Sequence, residues 1–154
     1  MQLKDSKSWD YKPARDKKNN IYSTGMLRLH ELLTPYDACN LECDGLTRVL
    51  HTVLRCDDIE HSCFVGSLTD TRQEKHIPLH FWIELPDGRT VDYRARMWIR
   101  EADDIPHGIF NKADYPHIQY SGQKTTLEPL SPILFEALTM KNPFEGFLKN
   151  QPNE

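Results

Sequence analysis

Residues 78–92 read PLHFWIELPDGRTVD, and the reading of this stretch decides the fold. Leu79, Phe81, Ile83 and Leu85 alternate with His80, Trp82 and Glu84, the period of two that marks a β-strand with two unlike faces. Pro86-Asp87-Gly88 follows as a turn, and RTVDYRARMWI continues as a second strand. Pro suits the first loop position and Gly a left-handed one, so a three-residue hairpin loop is expected. In that register Leu85 pairs with Arg89, Glu84 with Thr90 and Trp82 with Asp92. Asp92 then becomes the diagonal neighbour of His80 on one sheet face. A two-residue Asp-Gly turn would instead place Val91 and Tyr93 beside His80 and send Asp92 to the core face. The polar pattern favours the first register.

Upstream lies CDGLTRVLHTVLR, residues 43–55. Leu46, Val49, Leu50, Val53 and Leu54 follow the spacing of a helix that buries one stripe. Cys43 falls in the first turn at the edge of that stripe, where unpaired backbone N–H groups and the positive end of the helix dipole favour thiolate over thiol. Asn40 or Asp37, on the approach, is placed to hydrogen-bond the free N–H groups. A helix followed by antiparallel strands, without alternating βαβ units, argues for an α+β fold.

The 154 residues suit one domain with a sizeable core. A net charge of −4 argues against a nucleic-acid surface. No apolar run approaches the roughly 18 residues that a membrane span needs, and the first residues lack the apolar segment of a secretory signal. The expectation is therefore a cytoplasmic, soluble protein with neither nucleic acid nor membrane as a partner. Residues 1–20 are polar and read as a flexible arm, leaving 21–150 as the single domain.

Four cysteines, Cys39, Cys43, Cys56 and Cys63, are expected to be free thiols, since a chain of this length does not need disulfides. Cys39, Cys43, His51 and Cys56 make a poor zinc site, because the paired C-x-x-C spacing is missing. The assignment is no metal.

The remaining chain is read more briefly. Residues 26–33, MLRLHELL, form a short helix stopped by Thr34-Pro35, with His30 at its surface. SCFVGSL (62–68) is a strand, SLTDTRQEKH (67–76) a mobile polar loop, and residues 101–117 a long surface loop. HIQYSG (117–122) forms an edge strand. SPILFEALTM (131–140) is a helix capped by Ser131, with Pro132 at its first position, and Asn142-Pro143 ends it.

A thiolate nucleophile needs a base within hydrogen-bond reach, and the base needs a group to orient it. Among the seven histidines, His80 is the best base, and Asp92 the best orienter by the register argument. Taken singly, each has a plain structural explanation. The order Cys at a helix start, His in a strand, Asp on the next strand is harder to obtain by chance.

CDGLTRVLHTVLRCDDIEHSCFVG resembles the first motif of the transglutaminase-like superfamily, with Val53-Leu54-Arg55 and Ile59 at the motif's positions. HFWIELPDGRTVD resembles its second and third motifs, a histidine-x-tryptophan in a strand and an aspartate on the next. The short histidine-to-aspartate spacing is most similar to bacterial members such as the leader peptidases of lasso-peptide maturation. The resemblance covers about residues 40–92. It implies a papain/transglutaminase-like core in which Cys43 is the nucleophile, His80 the base and acid, and Asp92 the orienter. It also implies an oxyanion site built from the Cys43 N–H and a donor such as Asn40, with Trp82 beside the substrate. Two positions depart from the pattern: Asp58 replaces the usual glycine before the isoleucine, and Phe81 the usual small residue after the histidine.

The function so implied is acyl transfer from a peptide or side-chain amide through a thioester, as a peptidase, amidase or deamidase, with a peptide or protein as substrate and no cofactor. The rival reading is a binding module that kept the fold without turnover, with Trp82, Trp98 and the 99–117 loop as its partner surface.

Overall fold

The computed structural model describes residues 21–140; the expected N-terminal arm and the Asn142-Pro143 helix stop lie outside them. The chain runs α1 (Ile21–Leu33), a 3-10 turn (Thr34–Ala38), α2 (Cys43–Cys56), β1 (Ser62–Asp70), β2 (Lys75–Glu84), β3 (Thr90–Asp92), α3 (Ala95–Trp98), β4 (Gly108–Phe110), a 3-10 turn (Lys112–Asp114), β5 (Ile118–Thr125) and α4 (Pro132–Thr139). The strands form one antiparallel sheet in the order β4-β3-β2-β1-β5. The fold class is α+β. Among the described residues no helix is long and apolar enough to cross a membrane.

Helix α2 buries its stripe as its spacing requires. Leu46, Leu50, Val53 and Leu54 pack with Cys63, Ile83, Leu85 and Val91 of the sheet and with Leu29 and Leu33 of α1. The helix ends in a Schellman arrangement: Ile59 N–H donates to the Leu54 carbonyl at 2.9 Å and Asp58 N–H to that of Arg55 at 3.2 Å. Asp58 takes a φ of 56°, the left-handed conformation that glycine adopts most freely. The glycine missing at this position is thus replaced by a residue whose short polar side chain tolerates the same backbone.

The hairpin adopts the three-residue register. Ile83 pairs with Val91 and Glu84 with Thr90, Leu85 N–H donates to the Arg89 carbonyl at 2.8 Å, and Gly88 has a φ of 90°. Continued by one residue, the same register sets Trp82 opposite Asp92.

Several expectations fail for identifiable reasons. The loop expected at 67–76 is a tight turn, because β1 runs to Asp70 and β2 begins at Lys75. The Asp70 Oδ1 holds this turn by accepting from the backbone N–H of Arg72 at 3.0 Å. Leu79, expected in the core, is 61 % exposed. The β1–β2 register shifts between the Gly66–His80 and Leu68–Ile77 pairs, so Pro78-Leu79 forms a bulge, a place where a strand proline is tolerated and side chains are re-aimed. The second strand stops at Asp92 rather than running on to Ile99. Its own side chain bends the chain, Oδ1 accepting from Arg94 N–H at 2.9 Å, and α3 follows. The 101–117 segment is no plain surface loop. It supplies β4, paired with β3, and buries Ile105 and Phe110. The edge strand β5 and the Ser131-capped helix α4 form where expected, Leu134 N–H donating to Ser131 Oγ at 3.3 Å.

Candidate active site

His80 and Trp82 occupy the supposedly polar face of β2, yet both are buried. The face that carries His80 and Trp82 is itself covered. Phe64 stacks on Trp82 and Tyr120 meets it edge-on, which puts a second set of side chains over His80. Gly122 makes the close approach possible: a Cβ there would lie 2.7 Å from the Trp82 ring.

His80 Nε2–H donates to Asp92 Oδ2 at 2.7 Å. That leaves Nδ1 as the free nitrogen of the ring, and the Cys43 thiol is near enough to favour the charged imidazole. Buried Nδ1 completes no hydrogen bond. Burial alone would lower the His80 pKa, but the Asp92 carboxylate, with help from Cys43, raises it to about 10. An ion pair out of water outweighs the desolvation of the ring.

Asp92 is itself held at three points. Besides His80, its carboxylate accepts from Tyr120 OH at 2.8 Å and from Arg94 N–H. The carboxylate therefore cannot swing away from the imidazole without giving up two further hydrogen bonds. Burial, then the Asp92 charge, pushes the Tyr120 hydroxyl well above its ordinary pKa, so it stays a donor.

Arg94 joins this unit to the nucleophile. Its buried guanidinium donates to the carbonyls of Leu41 at 2.6 Å, Cys39 at 2.8 Å and Asp37 at 3.0 Å, and to Asp37 Oδ1 at 2.7 Å. One rigid fork thus fixes the segment entering α2 relative to the strand end that carries Asp92. Asp37 is occupied by Arg94 and by His107 at 2.7 Å, so it does not cap α2. Glu42 holds the cap position without a side-chain hydrogen bond. Within the first turn the Gly45 N–H donates to Asp44 Oδ1 at 2.8 Å, while the Cys43 N–H has no intrahelical acceptor.

The sequence-assigned residues separate as follows. Cys43, His80 and Asp92 converge. Asn40 lies exposed on the approach, three residues before Cys43. Trp82 is 1 % exposed and donates to Glu84 Oε1 at 3.2 Å, so it packs beside the His80 ring, with centroids 6.2 Å apart. Glu84 is engaged by Trp82 and Lys112, which leaves Asp92 to orient the imidazole. Arg94 and Tyr120 were not singled out from the sequence. Arg94 sits two residues after Asp92, a spacing that gave no warning of its long reach, and Tyr120 arrives from a distant strand.

Cysteines Cys39, Cys43, Cys56 and Cys63 are all free. The zinc grouping weighed from the sequence does not form, and His51 meets a different set, His61 and Cys63. Compared with known proteins, the chain matches no family model, no curated protein and no solved structure.

Proposed function

We propose that this protein is a cysteine-dependent acyl-transfer enzyme of transglutaminase-like type, acting on a peptide or side-chain amide through a thioester. The observation that carries the reading is His80, buried between the Asp92 carboxylate at 2.7 Å and the Cys43 thiol. That arrangement serves nucleophilic catalysis, with a base between the nucleophile and an anion.

In the proposed reaction the Cys43 proton already rests on His80 Nδ1, in the imidazolium that Asp92 stabilises, and the sulfur adds to the amide carbonyl as its thiolate. The developing oxyanion is stabilised by the Cys43 backbone N–H and a donor from the approach, for which Asn40 is the candidate. Collapse breaks the C–N bond while His80 returns the proton to the leaving amine, giving a thioester on Cys43. Water, deprotonated by His80, then releases the acid and restores the thiol. An amine acceptor in place of water would give acyl transfer.

A second reading, a non-catalytic binding module, draws support from the closure of the site, since Cys43 is 7 % and His80 0 % exposed. One experiment separates the two. Incubation with small activated acyl esters, followed by mass spectrometry, should show a single hydroxylamine-sensitive acyl group on Cys43, absent from Cys43→Ala. No adduct, or one spread over several cysteines, would leave the binding module standing.

A further inference from the structure

A second histidine–cysteine cluster lies farther along α2, with no part in the proposed chemistry. His51, eight residues and roughly 12 Å beyond Cys43 on the helix, places Nδ1 2.7 Å from Nε2 of His61. Cys63 Sγ completes the group, and one donor atom from each residue lies within 4.8 Å of the others. The Asp58 turn is what assembles the cluster: it reverses the chain after α2, so that His61 and the start of β1 come back against His51.

The protonation of these rings decides what the cluster can hold. His61 Nδ1 faces the Ile59 carbonyl at 2.7 Å. A carbonyl only accepts, so Nδ1 carries the proton and Nε2 presents a lone pair toward His51. His51 Nε2, on the far side of the ring, is buried and completes no hydrogen bond. Here His51 Nδ1–H donates to the His61 lone pair at 2.7 Å, and moving that proton to Nε2 would turn both lone pairs toward a shared cation. Outer-nitrogen donation to backbone carbonyls is the usual way of aiming imidazoles at a metal.

We propose that His51, His61 and Cys63 form a site for a borderline transition-metal ion, of which Zn²⁺ is the case to test, binding through two imidazole nitrogens and one thiolate. The donor set suits zinc, and three protein ligands leave the fourth tetrahedral position to water or another ligand. Zn–N bonds of about 2.0 Å would hold the two nitrogens roughly 3.3 Å apart, so the rings must part by about half an ångström. Binding releases the Cys63 thiol proton, and the resulting anion offsets a dication placed near Arg48 and Arg55. Such an ion would tie α2 to the first strand.

The test uses the full chain, reduced and carrying Cys43→Ala so that the triad thiol cannot contribute. Titrated Co²⁺ should bind at one equivalent with a thiolate-to-cobalt charge-transfer band and intense tetrahedral d–d bands, and Zn²⁺ should displace it. Cys63→Ser should abolish the charge-transfer band. Because Cys63 lies in the core, His61→Gln provides the second variant: circular dichroism should show it folded without metal, with affinity for Zn²⁺ lower by at least about 100-fold. Absence of the band, or a band that survives Cys63→Ser and is lost with Cys56→Ser, would overturn the site. So would unchanged Zn²⁺ affinity in His61→Gln.

Discussion

Helix α2 carries a cysteine–histidine site near each end, and the two have opposite electrostatics. At its first turn, Cys43 faces an imidazole backed by a carboxylate, and His80 is held protonated up to about pH 10. Two turns on, His51 faces a second imidazole, and burial followed by the His61 charge lowers its pKa. A charged ring suits a thiolate partner and a proton given to a leaving group, whereas a neutral ring suits a metal. In the proposed chemistry the two rings differ chiefly in their neighbour, Asp92 at His80 and His61, with burial, at His51.

Removing that neighbour at His80 should break the contrast most severely. Asp92→Asn keeps the hydrogen-bonding shape but not the charge, and turnover or Cys43 acylation should fall about 10³- to 10⁴-fold. Circular dichroism should remain native, and a variant retaining full rate would detach Asp92 from the chemistry.

The shared scaffold comes next in size. Leu50, buried in α2 between the two sites, should cost about 2–5 kcal/mol as Leu50→Ala in denaturant unfolding. Both sites should suffer together, whereas His51→Ala should spare Cys43 reactivity.

The pH dependence of stability sharpens the comparison. His80 has a folded pKa raised above the unfolded value near 6.5, so its contribution is fully present below about pH 6.5. It is lost as pH rises toward about 10, because the folded state binds the extra proton across that window. Unfolding free energy should therefore decline with pH there, more steeply in the parent than in Asp92→Asn. Cys63, pushed up to about 11 by burial, contributes a decline at the upper end in both proteins. Equal slopes would remove the charge assigned to His80.

The smallest effect concerns the turn that builds the second site. Asp58→Gly relieves a non-glycine residue at φ 56° and should stabilise the fold by about 0.5–1 kcal/mol. A loss of stability would mean that the Asp58 side chain contributes more than its backbone strain costs.

What the sequence revealed was local. The α2 stripe needed only its period, and the hairpin register only Pro86, Gly88 and strict alternation, so the meeting of His80 with Asp92 followed from a dozen neighbouring residues. What stayed hidden depends on chain segments far apart. Arg94 reaches back 57 residues to Asp37, Tyr120 crosses from β5, and His61 joins His51 only because Asp58 adopts a left-handed turn. The apparent continuation of the second strand past Asp92 had the right pattern, but the Asp92 side chain bent the backbone at Arg94 instead. A loop-like composition at 101–117 likewise concealed β4, whose short strand gains its order from pairing with β3.

The central claim is that Cys43 is the reactive thiol because of His80, and brief alkylation tests it most directly. Iodoacetamide at about pH 6 acts well below the usual thiol pKa near 8.5, and mass spectrometry then locates the first label. Access alone favours Cys56, the exposed cysteine, whereas Cys43 is buried with Cys39 and Cys63. Burial raises the pKa of all three rivals, with Asp57 adding to the effect at Cys56 and Asp37 at Cys39. Cys43 should be labelled first despite its burial, and His80→Ala should abolish the preference. Labelling of Cys56 first, unchanged by His80→Ala, would contradict it.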